Sequence, residues 1–480
     1  MFQFDNSFAR DLPGFYLPAE AAVPPAPRLL YWNTALAAAL GIDSGGRDTA
    51  ALLSGGALPQ GAESIAFAYA GHQFGTFNPQ LGDGRALLLG EHIGPDGRRY
   101  DVQLKGSGRT PFSRGGDGKA ALGPVLREYL MSEAMHALGI PTTRALAAVA
   151  TGETVLRDRP LPGAVLTRIA ASHLRIGTIQ YFAMHGGAEA VRQIADHAIA
   201  RHCPAAADGD NPYLALLDHV VAVQTALVAR WMAVGFVHGV MNTDNMTLSG
   251  ETIDYGPCAF VDVYSGGAVF SSIDRIGRYA FGRQPQILHW NLARLAEALL
   301  PAIIAVQPDG QQQTEALIAA VPGRYYAEML NQMRHKLGWR KSLPDDQASI
   351  EAMFAALEGQ GVDFTTFFRG LTDEVAGDSI LVPQPLPVAE WLVQWRQRLS
   401  AEGGNAEQRL AAMAMANPVV VPRNHLVEAA LGDAVDQNDF GRFDALLAAV
   451  SDPFGPRSAD DPFTLPAPAD FGPHVTFCGT

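Results

Sequence analysis

The segment Asp101-Val102-Gln103-Leu104-Lys105 alternates apolar and polar side chains and ends on a lysine. Alternation with a period of two is typical of a β-strand, so Val102 and Leu104 point to one face, and Gln103 and Lys105 to the other. Lysine is rare in this chain; the others are Lys119, Lys336 and Lys341. The pattern therefore indicates a strand lysine that faces either a ligand or solvent.

A helix is predicted downstream at Pro124–Leu138, because proline suits its first turn and Gly139 its end. Glu128 shares one face of this helix with mainly apolar neighbours: Val125, Met131, Ser132 and Met135. An acid on such a face needs a cation, since burying it unpaired is costly. Lys105 is the natural partner, although Glu133 on the neighbouring face remains a competing acid.

Glycine-rich segments lie on both sides of this strand. Gly82 and Gly84 form a turn before Arg85, and glycines let backbone N–H groups approach a phosphate closely. The loop 106–119 follows Lys105 and mixes glycine and serine with three basic side chains. We favour an anion-binding function for it, although the turn could be a plain hairpin and the loop a flexible surface segment.

A second group of polar residues follows a long apolar helix. His238 and Asn245 have the spacing of the protein-kinase catalytic loop, and Asp254-Tyr255-Gly256 corresponds to the kinase Asp-Phe-Gly motif. An amide carbonyl and a carboxylate are hard oxygen ligands that suit magnesium. Val240 stands where a kinase has its catalytic aspartate. The nearby Asp244 either replaces that base, or the protein binds ATP without catalysis.

The order of elements predicts an α+β, protein-kinase-like fold with a small strand-rich lobe before a larger helical lobe. Predicted strands are Arg85–Glu91, Tyr100–Lys105, Ala145–Ala150 and Ala164–Ile169, and the chain is mainly helical after Gln180. The expected domains are an N-terminal extension at 1–60 with a short helix at Leu29–Leu40, an N-lobe at 61–175, a C-lobe at 176–450 and a tail at 451–480.

The composition is that of a globular protein: 48% of residues are hydrophobic, 18% are charged, and the net charge is −14. The acidic balance argues against a nucleic-acid partner. Polar residues interrupt the most apolar segment, Tyr213–Val234, which predicts a buried core helix and no membrane association. Because the N-terminus shows no apolar signal segment, we expect a cytoplasmic, bacterial-type protein.

The cysteines Cys203, Cys258 and Cys478 are scattered. They form no disulfide framework and no zinc spacing, which indicates a reducing compartment. Cys478 lies near the C-terminus, where we expect an exposed and oxidisable thiol, although an accidental surface cysteine is an equal alternative.

Four segments together resemble the selenoprotein O family of pseudokinases, which are protein adenylyltransferases: Tyr69–Gly75, Gln80–Glu91, Asp101–Pro141 and Phe236–Asp262. The resemblance covers nearly the full chain, and Cys478 stands where some relatives carry selenocysteine. It implies a kinase fold that binds ATP in a flipped orientation, so that the α-phosphate faces the incoming hydroxyl. AMP then joins a Ser, Thr or Tyr of a protein, and pyrophosphate leaves.

The resemblance also implies roles for individual residues. Asp244 would accept the proton, and Asn245 and Asp254 would bind Mg²⁺ or Mn²⁺. The implied nucleotide contacts are Gly82, Gly84, Arg85, Lys105, Asp117, Gly118, Arg168, Arg175 and Asp254. Arg168 and Arg175 could clamp the terminal phosphates bidentately; salt bridging between lobes is the alternative.

One departure concerns redox control. The family's terminal cysteine is associated with a thiol after the metal motif, where this chain offers only Cys258, and Phe270 and Ser271 carry no thiol. We therefore do not expect an internal disulfide, whereas a mixed disulfide through Cys478 stays open. Two other functions also remain: a small-molecule phosphotransferase, which the valine at Val240 disfavours, and a non-catalytic ATP-binding scaffold.

Overall fold

The computed structural model describes residues 1–43, 46–377, 384–458 and 460–476, and within them it is a mixed α/β protein. Most strands lie in the first 170 residues. In chain order they are β1 (Tyr16–Pro18), β2 (Arg28–Trp32), β3 (Ile65–Phe67), β4 (Gly71–Gln73), β5 (Thr76–Asn78), β6 (Ala86–Ile93), β7 (Arg99–Lys105), β8 (Ala120–Ala121), β9 (Arg144–Leu156), β10 (Pro160–Ala170), β11 (Phe236–Val237) and β12 (Ala259–Phe260).

Helices dominate the chain after residue 175. They are α1 (Ser7–Asp11), α2 (Thr34–Leu40), α3 (Thr49–Leu52), α4 (Leu122–Ala137), α5 (Ile176–His185), α6 (Gly187–His202), α7 (Pro212–Val234), α8 (Gln284–Val306), α9 (Gly310–Leu337), α10 (Asp346–Leu357), α11 (Phe364–Ala376), α12 (Leu386–Glu402), α13 (Ala406–Ala416), α14 (Asn424–Gly432) and α15 (Gly441–Val450).

The main sheet is antiparallel, with the strand order β1-β3-β6-β7-β10-β9-β2, and β8 pairs with β10. The predicted lysine strand, β7, lies inside this sheet: Lys105 is opposite Ala86 on one side and Leu166 on the other. Arg168 on β10 is opposite Gln103. Residues paired across a sheet point to the same face, so the register places Arg168 and Lys105 on one face.

Helix α4 packs against β9 and β10 and extends the predicted helix by two residues at its start. Pro124 lies in its first turn, and Gly139 follows its end with a φ of +74°. On its other side α4 contacts α14 and α15, and together they bury a second apolar core that includes Leu126, Leu130 and Phe443. The helix that carries Glu128 is thus packed from both sides.

The helix expected at Leu29–Leu40 is only partly correct, because its first part is a strand. β2 pairs with β9, with Leu29 opposite Val149 and Trp32 opposite Ala147. The helix α2 starts afterwards, where the side chain of Asn33 accepts a hydrogen bond from Leu36 N and caps it. Pairing with a strand more than 100 residues away cannot be read from local periodicity.

Two long apolar stretches, Pro212–Val234 and Phe281–Val306, could cross a membrane by length and composition. In each, 56% of the apolar window is buried inside the protein. Helix α7, the first of them, packs against α8 and α9. This is how a core helix behaves, as the sequence predicts.

The polar stretch between α7 and α8 is organised by a short pair of strands. β11 and β12 pair with Phe236 opposite Phe260, and the loop between them carries Asn245 and Asp254. His238 ties the loop together, since its Nε2 lies 2.9 Å from the carbonyl oxygen of Ile253. The chain then runs through an irregular segment to α8, and the C-terminal tail touches it: Thr476 N donates to Phe270 O at 2.7 Å.

Candidate active site

A cleft of about 1260 Å³ lies between the sheet and the loop that joins β11 to β12. It is larger than the pocket of a typical small ligand, which holds roughly 300–1000 Å³. The described site residues expected from the sequence all line this cleft: Gly82, Gly84, Arg85, Lys105, Asp117, Gly118, Glu128, Arg168, Arg175, Asp244, Asn245 and Asp254. The remaining one, Cys478, lies outside the described residues.

The lysine of β7 meets both of its expected neighbours. Lys105 Nζ lies 2.6 Å from Glu128 Oε2 and 2.5 Å from Asp254 Oδ1. The competing acid, Glu133, pairs with Arg144 at 2.6 Å. The early strand and the late loop therefore share one cleft.

Asp254 is the centre of a cluster of buried charges. Its carboxylate also contacts Arg168 Nη1 and Arg175 Nη1, each at 2.8 Å. Burial alone would raise the pKa of Asp254, but the charges of Lys105, Arg175 and Arg168 outweigh burial and hold this pKa well below its usual range. The residue adopts a left-handed backbone with φ +64°, a conformation that is uncommon outside glycine and is found at functional sites.

The two arginines are engaged by the protein to different degrees. Arg168 is 1% exposed, and it donates to Glu128 Oε1 at 3.0 Å and to Gln103 Oε1 at 2.5 and 3.1 Å. Arg175 donates to the carbonyl of Asp244 at 2.7 Å and lies over the Tyr69 ring at 4.7 Å. Its Nε has no partner among the described residues. Arg175 thus keeps a free donor, whereas Arg168 is held within the cluster.

Asp244 lies beside this cluster with a carboxylate oxygen to spare. Its Oδ1 is buried and has no hydrogen-bond partner within the described part of the chain. Burial raises the pKa of Asp244 to about 6, although the charge of Arg175 opposes the rise. Such a carboxylate is ionised near neutral pH and can accept a proton.

Glycines shape the space around Asp244. A Cβ built at Gly71 would lie 2.2 Å from Asp244 Oδ1, and one at Gly177 would lie 2.1 Å from the carbonyl oxygen of Ala70. Both distances are far inside van der Waals contact. Gly71 belongs to a segment that carries the family resemblance, but nothing local in the sequence indicates that it faces Asp244.

Asp83 is a further buried acid that sequence reasoning did not select. It accepts hydrogen bonds from Phe67 N at 3.2 Å and Gln103 Nε2 at 3.3 Å, and its carboxylate lies 3.9 Å from Arg175. Burial raises its pKa to about 6, against the charge of Arg175. A signal was present, because Asp83 separates the two glycines of the predicted turn.

The glycines of that turn are required by packing. Gly82 has φ +77°, and a Cβ there would lie 2.3 Å from the ring of Phe112. A Cβ at Gly84 would lie 2.9 Å from the carbonyl oxygen of Phe112, and one at Gly118 only 2.0 Å from that of Gly108. The loop 106–119 therefore folds tightly over the turn, which brings its backbone into the cleft.

The basic side chains at this end of the cleft fall into two classes. Asp117 pairs with Arg157 at 2.9 Å, and Lys119 pairs with Glu153 at 2.7 Å. In contrast, three cleft-lining arginines have no acidic partner among the described residues: Arg85, Arg109 and Arg114. Unpaired cations around a cleft favour an anionic ligand.

The donor set for a metal ion is small. Asn245 Nδ2 donates to the carbonyl of Val240 at 2.9 Å, and among the described residues no donor occupies its own carbonyl oxygen. Among the described residues no group of three or more His, Cys, Asp and Glu side chains could hold a metal. The hard oxygens of Asn245 and Asp254 fit Mg²⁺ or Mn²⁺ only in combination with oxygens from water or a bound nucleotide.

Cys258 is fully buried beneath the cleft, and burial raises the pKa of its thiol to about 11. A thiol in this environment is a poor nucleophile. The expectation of no internal disulfide stays a prediction, because Cys478 lies outside the described residues.

Residues 1–451 match the family model described as protein adenylyltransferase SelO. Relatives named protein nucleotidyltransferase YdiU align with the whole chain. The Sphingopyxis alaskensis protein is 58% identical and a Cereibacter sphaeroides protein 56% identical, each over its full length. The Rhizobium johnstonii protein is 51% identical over all of this chain and 97% of its own.

Proposed function

The chain belongs to the SelO family of protein adenylyltransferases, and from this premise we propose that it transfers AMP from ATP to Ser, Thr or Tyr hydroxyls of other proteins. The acceptor oxygen bonds to the α-phosphorus, the bond from that phosphorus to the β-phosphate oxygen breaks, and pyrophosphate leaves. The observation that carries the proposal is the meeting of Lys105 and Asp254, at 2.5 Å, in one cleft with Glu128.

The fold we propose is protein-kinase-like. Residues 61–175 would be the N-lobe, with β7 and α4 as its lysine strand and glutamate helix, and residues 176–450 the helical C-lobe. Residues 1–60 and 451–480 would be extensions. The pairing of Lys105 with Glu128 supports this assignment, because kinases hold the same pair beside the nucleotide phosphates.

The nucleotide would lie in the flipped orientation, with its terminal phosphates under the loop 106–119. The unpaired side chains of Arg85, Arg109 and Arg114 and the tight turn at Gly82 and Gly84 support this placement, since they supply cations and close backbone approach. Asp117 and Gly118 would hold the loop in shape. When phosphates enter, Lys105 and Arg175 would exchange the Asp254 carboxylate for phosphate oxygens.

Asn245 and the carboxylate thus released at Asp254 would hold the Mg²⁺ or Mn²⁺ ion. The ion would neutralise charge on the phosphates. Arg168 would keep Glu128 and Asp254 in position through its buried guanidinium. In the free protein the Asp254 carboxylate contacts three cations. Once the phosphates have taken two of them, it would be available to the metal ion.

Asp244 would act as the proton acceptor for the incoming hydroxyl. Its unpartnered Oδ1 and its pKa of about 6 suit a base that works near neutral pH. The residue at the kinase base position, Val240, lines the cleft but offers no proton acceptor. Moving the reacting phosphorus from the γ- to the α-position moves the base with it.

The test uses ATP labelled at either the α- or the γ-phosphate, with the full chain and a bacterial lysate as the source of acceptors. We expect label on protein only from the α-position. Label from the γ-position would instead support a phosphotransferase, and ATP binding without transfer would support a scaffold.

The Asp254→Ala variant is expected to abolish transfer, because it removes a metal ligand and the partner of three cations. Asp208→Ala, which removes an exposed carboxylate outside the cleft, is the matched control and should keep full activity. Survival of transfer in Asp254→Ala would refute the metal assignment. We further propose that the protein acts in the cytoplasm on protein substrates, without a nucleic-acid or membrane partner.

A further inference from the structure

Large apolar side chains are exposed at one mouth of the cleft. Ile273 lines the cleft and is 55% exposed, and Val475 of the tail lines it and is 45% exposed. Ile276, three residues further along, is 76% exposed. Apolar groups gathered beside a site indicate a surface that another molecule covers.

This mouth is held firmly to the loop that carries Asp244. The hydroxyl of Tyr279 donates to Asn242 Oδ1 at 2.6 Å, and the same oxygen accepts from Phe74 N at 3.2 Å. The carboxylate of Asp274 accepts from the backbone N–H groups of Arg278 and Tyr279 at 2.8 and 2.7 Å. A molecule that docks here is therefore held at a fixed position relative to Asp244, the proposed proton acceptor.

Residues 273–283 carry three arginines and one acid, Asp274, whose carboxylate is taken up by backbone N–H groups, although the chain as a whole carries a net charge of −14. Arg275, Arg278 and Arg283 have no acidic partner in the part of the chain that the structure describes. Arg278 is held in place by the face of Trp290, 4.8 Å from the ring centre. Its guanidinium also lies 3.4 Å from where a Cβ at Gly75 would be, next to Phe74 of the cleft wall.

Resting on the proposed function, we propose that this mouth is the acceptor-binding wall and that it selects acidic protein segments. The wall comprises Phe74, Ile273, Arg275, Ile276, Arg278 and Val475. An extended segment would place its hydroxyl at Asp244 and an apolar side chain against Ile273. Its acidic side chains would lie beside Arg275 and Arg278, where opposite charge favours the right partner and like charge rejects the wrong one.

The experiment uses synthetic peptides with one Ser, Thr or Tyr and a leucine nearby, flanked by acidic, neutral or basic residues. Transfer from α-labelled ATP by the full chain is measured as kcat/KM. We expect acidic peptides to exceed basic ones by about tenfold at low salt, and the difference to shrink as salt screens the charges.

Charge reversal in the double variant Arg275→Glu, Arg278→Glu is expected to invert this preference while ATP affinity stays unchanged. The single variant Arg275→Glu, at an exposed position with no acidic partner among the described residues, should abolish most of the preference and guards against misfolding of the double variant. The control is Arg98→Glu, whose side chain is 79% exposed in the turn between β6 and β7; it should keep the preference of the native chain.

The outcomes separate the two proposals. Transfer of α-label with no charge preference, or a preference that the variants leave unchanged, overturns the acceptor wall alone. Absence of α-label on every peptide and on lysate protein overturns the proposed function, and the acceptor wall with it. Inversion of the preference in the charge-reversed variant supports the wall.

Discussion

Two groups of buried charges each include one residue of β7: Asp101 belongs to one group and Lys105, four residues later, to the other. The two groups are built differently. The Asp254 cluster comprises Lys105, Glu128, Arg168, Arg175 and Asp254. The Arg201 cluster comprises Glu91, Asp101, His173 and Arg201. In the second, Arg201 contacts both carboxylates, and Asp101 accepts from His173 N at 2.8 Å and Nδ1 at 3.2 Å.

The difference lies in charge balance and access. The Asp254 cluster faces the cleft; three cations contact the carboxylates of Glu128 and Asp254 directly, and Asp83 lies 3.9 Å from Arg175 as a third, more distant carboxylate. In the Arg201 cluster one arginine serves two carboxylates, burial lowers the pKa of His173 to about 4, and no member lines the cleft. Ser7 and Phe8 N fill the remaining acceptor sites of Glu91. The two clusters therefore differ above all in access: the Asp254 cluster presents its charges to a cavity, and the Arg201 cluster does not.

The largest expected effect is a loss of AMP-transfer activity when the Asp254 cluster is changed, and its absence would contradict the comparison. Lys105→Met is expected to lower AMP transfer by about a thousandfold, because it removes a cation that, in the proposed mechanism, meets the phosphates in the transition state. The melting temperature should change little, since Arg168 still serves Glu128 and Asp254. The control Lys341→Met changes an exposed lysine. A melting temperature that falls while activity per folded molecule persists would make the Asp254 cluster structural.

In the Arg201 cluster the corresponding change is Arg201→Met, which should lower the free energy of unfolding. It leaves Glu91 and Asp101 buried without their cation, and a loss of this kind costs about 3–5 kcal/mol. Urea unfolding measures the loss, and kcat/KM of the remaining folded enzyme should be near normal. Arg192→Met, on the same helix and paired at the surface with Glu189, is the control with little effect. Full stability in Arg201→Met would remove the distinction between the clusters.

A smaller effect tests the close approach of Gly71 to Asp244 beside the Asp254 cluster. Gly71→Ala places a methyl group where Asp244 Oδ1 lies, so we expect kcat to fall by about ten- to a hundredfold while ATP affinity changes little. Gly323→Ala in α9, where a Cβ meets no atom within 4 Å, is the matched control. If Gly71→Ala weakened ATP binding and left kcat intact, Asp244 would not be the proton acceptor.

The smallest effect concerns pH. In the proposed mechanism Asp244 must be ionised to accept the proton, and burial raises its pKa to about 6, so kcat/KM should fall about tenfold between pH 7 and pH 5. The Asp83→Asn variant keeps this acid limb if Asp244 sets it. A profile that is flat down to pH 5, with the protein still folded by circular dichroism, would contradict the assignment.

His173 in the Arg201 cluster titrates in a different range. Because its folded pKa is about 4, below the unfolded value, the unfolded chain binds more protons between the two values. Stability is therefore expected to fall as pH falls from about 6.5 towards 4. The loss of stability therefore overlaps the loss of activity between about pH 6.5 and 5 and continues below it, so urea unfolding measured at each pH is needed to separate the two effects.

Much of the site could be predicted because its signals are local. Two-residue alternation places Lys105 on a strand, helical spacing places Glu128 on the inner face of α4, and motif spacing singles out Asn245 and Asp254. These patterns need only the neighbouring residues. Their joint order in the chain indicated a shared cleft, which the contact of Lys105 with Asp254 confirms.

The remainder depends on contacts between distant segments. β2 forms only because it pairs with the distant strand β9. Without that partner in view, the apolar residues before Asn33 show the local pattern of a helix. The burial of Asp83 and the contact of Gly71 with Asp244 arise only after folding; the position of Asp83 between Gly82 and Gly84 marks the turn but does not report that burial. Sequence patterns of this kind find the polar residues that line a cleft more readily than the residues that shape it.

The double packing of α4 affects how the enzyme could be controlled. With the sheet on one side and α14 and α15 on the other, a swing of this helix would have to tear open an apolar core. We therefore expect the lysine–glutamate contact to be kept in every state of the enzyme and not to be made and broken by an activating partner. The rate of AMP transfer should then depend on the concentrations of ATP and of acceptor proteins, and not on an activating movement of α4.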